Sequence, residues 1–197
     1  MPGARLATVH QVHSAIAVPV TEPFPDDARP HADALVTDRP GLLLGILTAD
    51  CVPCVLVDTV AGVVGAAHAG WKGALGGVTD ATIAAMEKLG ADRGRTVAAI
   101  GPCIGRASYE VSEDFAAPFE QEHVDNERFF SSGRPGHLQF DVEGYVAARL
   151  ARAGVRSIET LGLDTYADPD RFFSYRRACH RGEPGYGREI SLIGLPG

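Results

Sequence analysis

Residues 41–73 read GLLLGILTADCVPCVLVDTVAGVVGAAHAGWKG. Three apolar runs lie inside this stretch, Leu42–Thr48, Val52–Asp58 and Val63–His68, the last two separated by the turn-like Thr59–Gly62. Their hydrophobicity is nearly continuous rather than alternating, which marks strands covered on both faces. The glycine-rich segment Gly70 to Gly77 follows and leads into a helix expected over Val78–Leu89, closed by Gly90.

Working outward, Asp33–Thr37 (DALVT), Thr96–Ile100, Val155–Leu161 and Glu189–Leu195 read as further strands. Ser112–Glu122 reads as a helix with Ser112 as its cap. Asp141 caps another helix running to Ala153, whose apolar stripe is Val142, Tyr145, Val146, Leu150 and Ala153. His123–Gly136 is polar and irregular and reads as a mobile loop, and Asp168–Phe173 as a helical turn. Strands and helices interleave without repeats or linkers. The expectation is one domain over residues 1–197, a layered α/β sandwich with a mostly buried, mixed central sheet and flanking helices.

The chain has 197 residues and a formal net charge of −7, with 45% hydrophobic and 22% charged residues. That composition supports a substantial core. The acidic balance and the lack of any Lys/Arg-rich tract argue against nucleic acid as partner. The start, MPGARLATVHQVHS, lacks the apolar core of a signal peptide, and no apolar run is long enough to span a bilayer. The sequence therefore reads as cytoplasmic, with no membrane partner. Four cysteines (Cys51, Cys54, Cys103, Cys179) do not make a disulfide framework. The Cys51–Cys54 pair lies three apart on a strand and so faces opposite ways. Cys54 is expected to pack as a small apolar residue, and Cys51, next to Asp50, to line a pocket.

Several residues carry chemistry. His68 ends an apolar run and precedes AGWKG; Cys103 sits in GPCIG; His137 precedes a helix cap. Two imidazoles and a thiolate fill three corners of a zinc tetrahedron and leave the fourth for water or substrate. His13 in HQVHS shares a strand side with Gln11 and is a further candidate. Asp50 is an acid at a strand boundary, able to orient a ligand histidine or contact substrate. Lys72, Arg176 and Arg177 add cationic charge suited to an anion such as phosphate. Cys103 is also a thiol that could act as a nucleophile beside a histidine.

In order along the chain, QVH (11–13), DALVT (33–37), TADCVP (48–53), HAGWKG (68–73), IGPCIG (100–105), YEV (109–111), HLQFD (137–141) and FFSYRR (172–177) resemble the YfiH family of laccase-domain proteins. Members carry the names polyphenol oxidase and purine nucleoside phosphorylase. The resemblance implies an α/β sandwich with zinc held by His68, Cys103 and His137. It also implies phosphorolysis of adenosine, inosine and methylthioadenosine, with adenosine deamination, so the implied partners are a purine nucleoside and phosphate. His13 or Asp50 would then move protons, and Arg176 or Arg177 would hold phosphate. Copper-dependent phenol oxidation is the older alternative, but seven histidines are too few for a multicopper oxidase, so zinc is expected over copper. A non-catalytic binder of nucleosides or peptidoglycan precursors is a third reading.

Three departures from the family pattern stand out. Relatives usually carry a segment with a glycine-rich R-x-G-G-like stretch before QVH, so the domain reads as N-terminally short. Many have cysteine where this chain has Asp164. The stretch Ala178–Gly187, holding Cys179 and His180, is longer than the family link.

Overall fold

The computed structural model describes residues 3–197. Twelve strands and five helices are named here in chain order. The strands are β1 (Arg5–Ala7), β2 (Ala17–Pro19), β3 (Ala34–Thr37), β4 (Leu42–Thr48), β5 (Val52–Asp58), β6 (Val63–Ala69), β7 (Val97–Ile100), β8 (Glu110–Ser112), β9 (Phe130–Ser132), β10 (His137–Phe140), β11 (Ser157–Thr160) and β12 (Glu189–Gly194). The helices are α1 (Trp71–Gly76), α2 (Val78–Lys88), α3 (Ala117–Glu122), α4 (Val142–Arg152) and α5 (Tyr175–Arg181).

β5 and β6 form the antiparallel hairpin at the heart of a mixed six-stranded sheet of order β11-β7-β5-β6-β3-β2. All seven residues of β6 are buried, as its unbroken apolar sequence requires. One sheet face carries α2 and α4. Gly65 lets α2 approach closely there, since a Cβ would lie 2.9 Å from Met86 Sδ. The other face packs on a second sheet, β1-β4-β12, through Leu35, Leu44, Ile46, Val64 and Ala66. A third sheet, β8-β10-β9, closes one end over an aromatic cluster of Phe115, Phe119, Phe130, Phe140 and Tyr145. The layered α/β architecture is thus as expected, with the strand layer divided between packed sheets.

Local differences have clear causes. Ser112 ends β8, where Val111 pairs with Leu138, and is also the N-cap residue of a 3-10 helix, Glu113–Ala116, although its side chain makes no capping hydrogen bond. That 3-10 helix runs directly into α3 at Ala117, where Pro118 suits the first α-helical turn, so the helical segment expected over Ser112–Glu122 is present. Residues 123–136 are not one loop: Val124–Phe129 winds into a 3-10 helix and Phe130–Ser132 joins the third sheet, drawn in by Phe129 and Phe130. Asp141 caps α4 by accepting from the Gly144 amide at 2.9 Å. Residues 168–173 make the expected helical turn, with the Arg171 and Phe172 amides donating to the Asp168 carbonyl, and an unexpected helix, α5, follows it, where the Ser174 hydroxyl accepts from the Arg177 amide. Among the described residues no helix is long and apolar enough to cross a membrane.

The β5–β6 turn is held by Asp58, whose buried carboxylate accepts from the Val60, Ala61 and Asp92 amides and from Arg95 at 2.8 Å. Burial opposes its ionisation, but these donors prevail and hold its pKa down at about 2. A depressed carboxyl stabilises the fold above its unfolded-state value of about 4. That contribution fades as pH falls toward 2. Asp58→Ala is expected to cost about 2–3 kcal/mol in urea unfolding at neutral pH, from orphaned donors. The gap between variant and parent should narrow on acidification, and a constant gap between pH 7 and 3 would refute this role.

Candidate metal centre and its two clefts

Strand register determines which side chains meet. In the β5–β6 ladder Pro53 pairs with His68, so Cys51 projects just beyond the first residue of β5, beside the end of β6. In the β3–β6 ladder Ala34 pairs with Ala67, and the His68 amide donates to the Asp33 carbonyl at 2.7 Å. Three strand ends therefore bring Asp33, Cys51 and His68 to one edge of the sheet. The loop before β2 lays His13 over them.

The ligating atoms of His13, Cys51 and His68 all lie within 4.8 Å of one another, the one such group among the described residues. His13 Nε2 is 3.9 Å from Cys51 Sγ, and the two imidazoles meet edge to face at 4.8 Å. His68 is buried, Cys51 half-buried and His13 exposed, so the group opens to one side.

Asp33 organises the cluster. Its buried carboxylate accepts from His68 Nδ1 at 2.7 Å, from the Val12, His13 and Ser14 amides, and from the Ser14 hydroxyl. Burial disfavours its charge, but the hydrogen bonds from His68 and Ser14 overcome this and hold its carboxyl well below the usual range. A carboxylate can only accept, so Nδ1 of His68 carries the proton and Nε2 turns its lone pair toward the cluster.

Backbone conformation concentrates here as well. His13 and Asp50 are the two non-glycine residues with positive φ among those described, at 60° and 81°. Such conformations persist only where surroundings enforce them. Asp33 holds the first. The second is held by donors to the Asp50 carboxylate: Thr165 Oγ1 at 2.7 Å, Ser174 Oγ at 3.0 Å and the Arg176 amide at 2.6 Å. Gln11 pins the loop further by exchanging two hydrogen bonds with the Leu47 backbone. Gly70 completes the packing, since a Cβ there would lie 2.7 Å from His13 and 3.0 Å from Cys51 Sγ.

The donor chemistry fits a metal ion. Burial, reinforced by Asp50 and Asp33, pushes the Cys51 thiol up to about 12. A thiolate at this position therefore needs a cation of its own. Two imidazoles and one thiolate, open on the fourth side, are a borderline-soft set of the kind that binds a divalent ion while leaving room for another ligand.

Among the described residues the ligating atoms that converge are those of His13, Cys51 and His68, and Cys103 and His137 are not in that group. Cys103 follows β7 with its backbone bridged to Asp164, and its thiol is buried, lining neither cleft described below. Burial first, then Glu143, pushes that thiol well above its ordinary range. His137 belongs to the third sheet, with Nε2 2.8 Å from Arg134 and Nδ1 3.2 Å from the Pro135 carbonyl. The remaining candidates divide. Lys72 and Arg176 reach a cleft beside the cluster. Arg177 does not, because its guanidinium donates to the carbonyls of Thr165, Tyr166 and Phe172. Asp50 borders the cleft, but its carboxylate is engaged in positioning α5.

Two clefts flank the cluster. One, of about 410 Å³, is walled by Trp71, Tyr109, Ile104 and Val142, with Lys72 and Arg176 at its polar side. Arg176 lies 5.2 Å over the Tyr109 ring and donates to the Glu110 carbonyl. The other, of about 540 Å³, lies on the His68 side. They share His13, Ala49, Cys51 and Tyr175, so the cluster sits on the seam between them.

Comparisons with known proteins agree with this architecture. A purine nucleoside phosphorylase of Rickettsia conorii is 35% identical over 186 residues, covering 94% of this chain and 76% of the relative. One from Streptomyces coelicolor is 42% identical over 174 residues, covering 88% and 70%. The crystal structure of Neisseria meningitidis protein NMB0706 superposes with a TM-score of 0.88 at 33% identity, covering 99% of this chain and 76% of that one. That of the hypothetical protein YfiH from Bacillus licheniformis gives 0.81 at 30% identity, covering 96% and 74%. The model of the multi-copper polyphenol oxidoreductase laccase family matches residues 1–196, and with these relatives it shows that the chain belongs to that laccase-domain, YfiH-type family.

Proposed function

We propose that this chain is a zinc-dependent purine nucleoside phosphorylase, acting on adenosine, inosine and methylthioadenosine, with adenosine deamination at the same centre. The observation that carries the reading is the convergence of His13, Cys51 and His68 on the seam between two clefts. The names of the relatives supply the substrate class. Copper oxidation of phenols is the weaker reading, because a multicopper centre needs several ligand groups and one converges among the described residues.

His13, Cys51 and His68 would hold the zinc, which when bound supplies a concentrated positive charge able to polarise a substrate oxygen or water. The chain's own residues bind and orient. Trp71 and Tyr109 offer aromatic faces to a purine in the smaller cleft. Ile104 and Val142 exclude water from its apolar side. Lys72 and Arg176 provide donors for the polar edge of base or sugar. Asp50 fixes the start of α5, and hence Arg176, through the Ser174 hydroxyl and the Arg176 amide. The sugar then spans the seam.

Product analysis with adenosine tests this. With phosphate, the zinc-loaded protein should release adenine and ribose 1-phosphate; without it, inosine should be the product. Neither product from protein of verified zinc content would end the proposal.

A further inference from the structure

The larger cleft differs in charge from the rest of the molecule. The chain carries 25 acidic against 18 Lys and Arg residues, yet no aspartate or glutamate lines this cleft. Its polar wall is His10, His13, His68, Arg29 and Arg188, with Tyr175 and Tyr186 beside them.

Both arginines keep donors in reserve. Arg188 stacks 5.3 Å over the Tyr186 ring, and among the described residues no carboxylate lies within 4.0 Å of its guanidinium. Arg29 makes only long contacts, 3.3 Å to the Asp26 carbonyl, 3.4 Å to Thr8 Oγ1 and 3.9 Å to the exposed Asp26 carboxylate. Arg177, by contrast, spends its donors on backbone carbonyls. His10 is held on the cleft wall by main-chain bonds to Pro30 and Ala32, its ring 4.7 Å from His31. A guanidinium with free N–H groups on an acid-free wall is a receptor for a tetrahedral oxyanion.

We propose that Arg29 and Arg188 bind a phosphate group in this cleft, and that in the proposed phosphorolysis, on which this assignment rests, the group is the attacking phosphate. Displacement at the ribose C1′ requires nucleophile and leaving base on opposite sides of the carbon. Two clefts joined at His13, Ala49, Cys51 and Tyr175 provide those sides, with the purine beside Trp71 and the phosphate beside Arg29 and Arg188. A phosphate oxygen forms the bond to C1′ as the C1′–N9 bond breaks, and the bonding pair leaves with the purine. A proton carried in by dihydrogen phosphate ends on the base. Nothing is oxidised or reduced. The same oxyanion chemistry would suit a nucleoside 5′-monophosphate, so the test must separate the two sources.

The test compares the parent chain with the double variant Arg29→Gln/Arg188→Gln and its Arg29→Lys/Arg188→Lys counterpart. Binding of inorganic phosphate without nucleoside is followed by phosphorus NMR, and the phosphate KM is measured at saturating adenosine. The glutamine pair should raise both Kd and KM for phosphate at least tenfold. The lysine pair should recover most of the loss, which a general folding defect would not allow. Phosphate Kd and KM within twofold of the parent in the glutamine pair would overturn the assignment, while phosphorolysis by the parent left the functional reading intact. Arginine-dependent phosphate binding without ribose 1-phosphate formation would do the reverse, keeping the oxyanion cleft and removing the reaction. If adenosine 5′-monophosphate binds in an arginine-dependent way and inorganic phosphate does not, the cleft takes the monoester and the co-substrate role falls.

Discussion

Cys51→Ser is expected to strip the protein of its metal and to lower kcat/KM for adenosine by at least two orders of magnitude, about 3 kcal/mol of transition-state stabilisation. The thiolate is the one anionic donor of the cluster, and the serine hydroxyl is neutral and hard where a borderline ion prefers sulfur. The fold should tolerate the change, since Cys51 is half-buried at a strand end and serine is smaller. Metal content by mass spectrometry gives the readout. Cys103→Ser is the matched control. Its thiol is buried against the core and lines neither cleft, so the variant should lose some stability and keep its metal. Full metal in the Cys51 variant, or its loss in the Cys103 variant alone, would return the centre to the set expected from sequence.

The strands β3 to β6 are legible because burial on both faces leaves an unbroken apolar signature, α4 because its stripe repeats at helical spacing, and α2 because glycines bracket it. His68 stands out at the end of such a run, and His13 through the alternation it shares with Gln11. Cys51 reads as lining a pocket, yet its partnership with His68 depends on the β5–β6 register, which sets Pro53 opposite His68. Nothing local in TADCVP encodes that register. Cys103 looked better presented, between proline and glycines, but the turn after β7 sends its thiol inward. Asp33 passed as the first residue of a strand, although a carboxylate opening an otherwise buried run is itself a signal, because it must find donors. The helix at Tyr175–Arg181 is hard to see in the sequence because its residues read as a charged pair, and the Ser174 cap is the available clue.

Asp33→Asn should be the second most damaging change, although it alters neither shape nor any direct ligand. Five donors converge on this carboxylate, three of them amides of the loop that carries His13. An asparagine has one accepting oxygen. If that oxygen serves the loop, its NH₂ faces His68 Nδ1, which must then accept, and the imidazole proton moves to Nε2, where the metal should bind. If the amide turns the other way, the loop amides meet a donor, and the positive φ of His13 loses its anchor. Either arrangement removes one histidine from productive geometry. Partners that orient metal-binding histidines typically account for 10–100-fold in affinity or activity. Zinc affinity, measured against a competing chelator, should weaken by about that factor. Loss of accepted hydrogen bonds should also cost about 2–3 kcal/mol in urea unfolding of the metal-free chain. The two losses separate the roles of Asp33. Ser14→Ala removes one hydroxyl donor and leaves the His68 contact in place, so it should lower stability while zinc affinity changes less than threefold. Equal weakening of zinc binding by both variants would mean that the loop, and not the His68 tautomer, is what Asp33 controls.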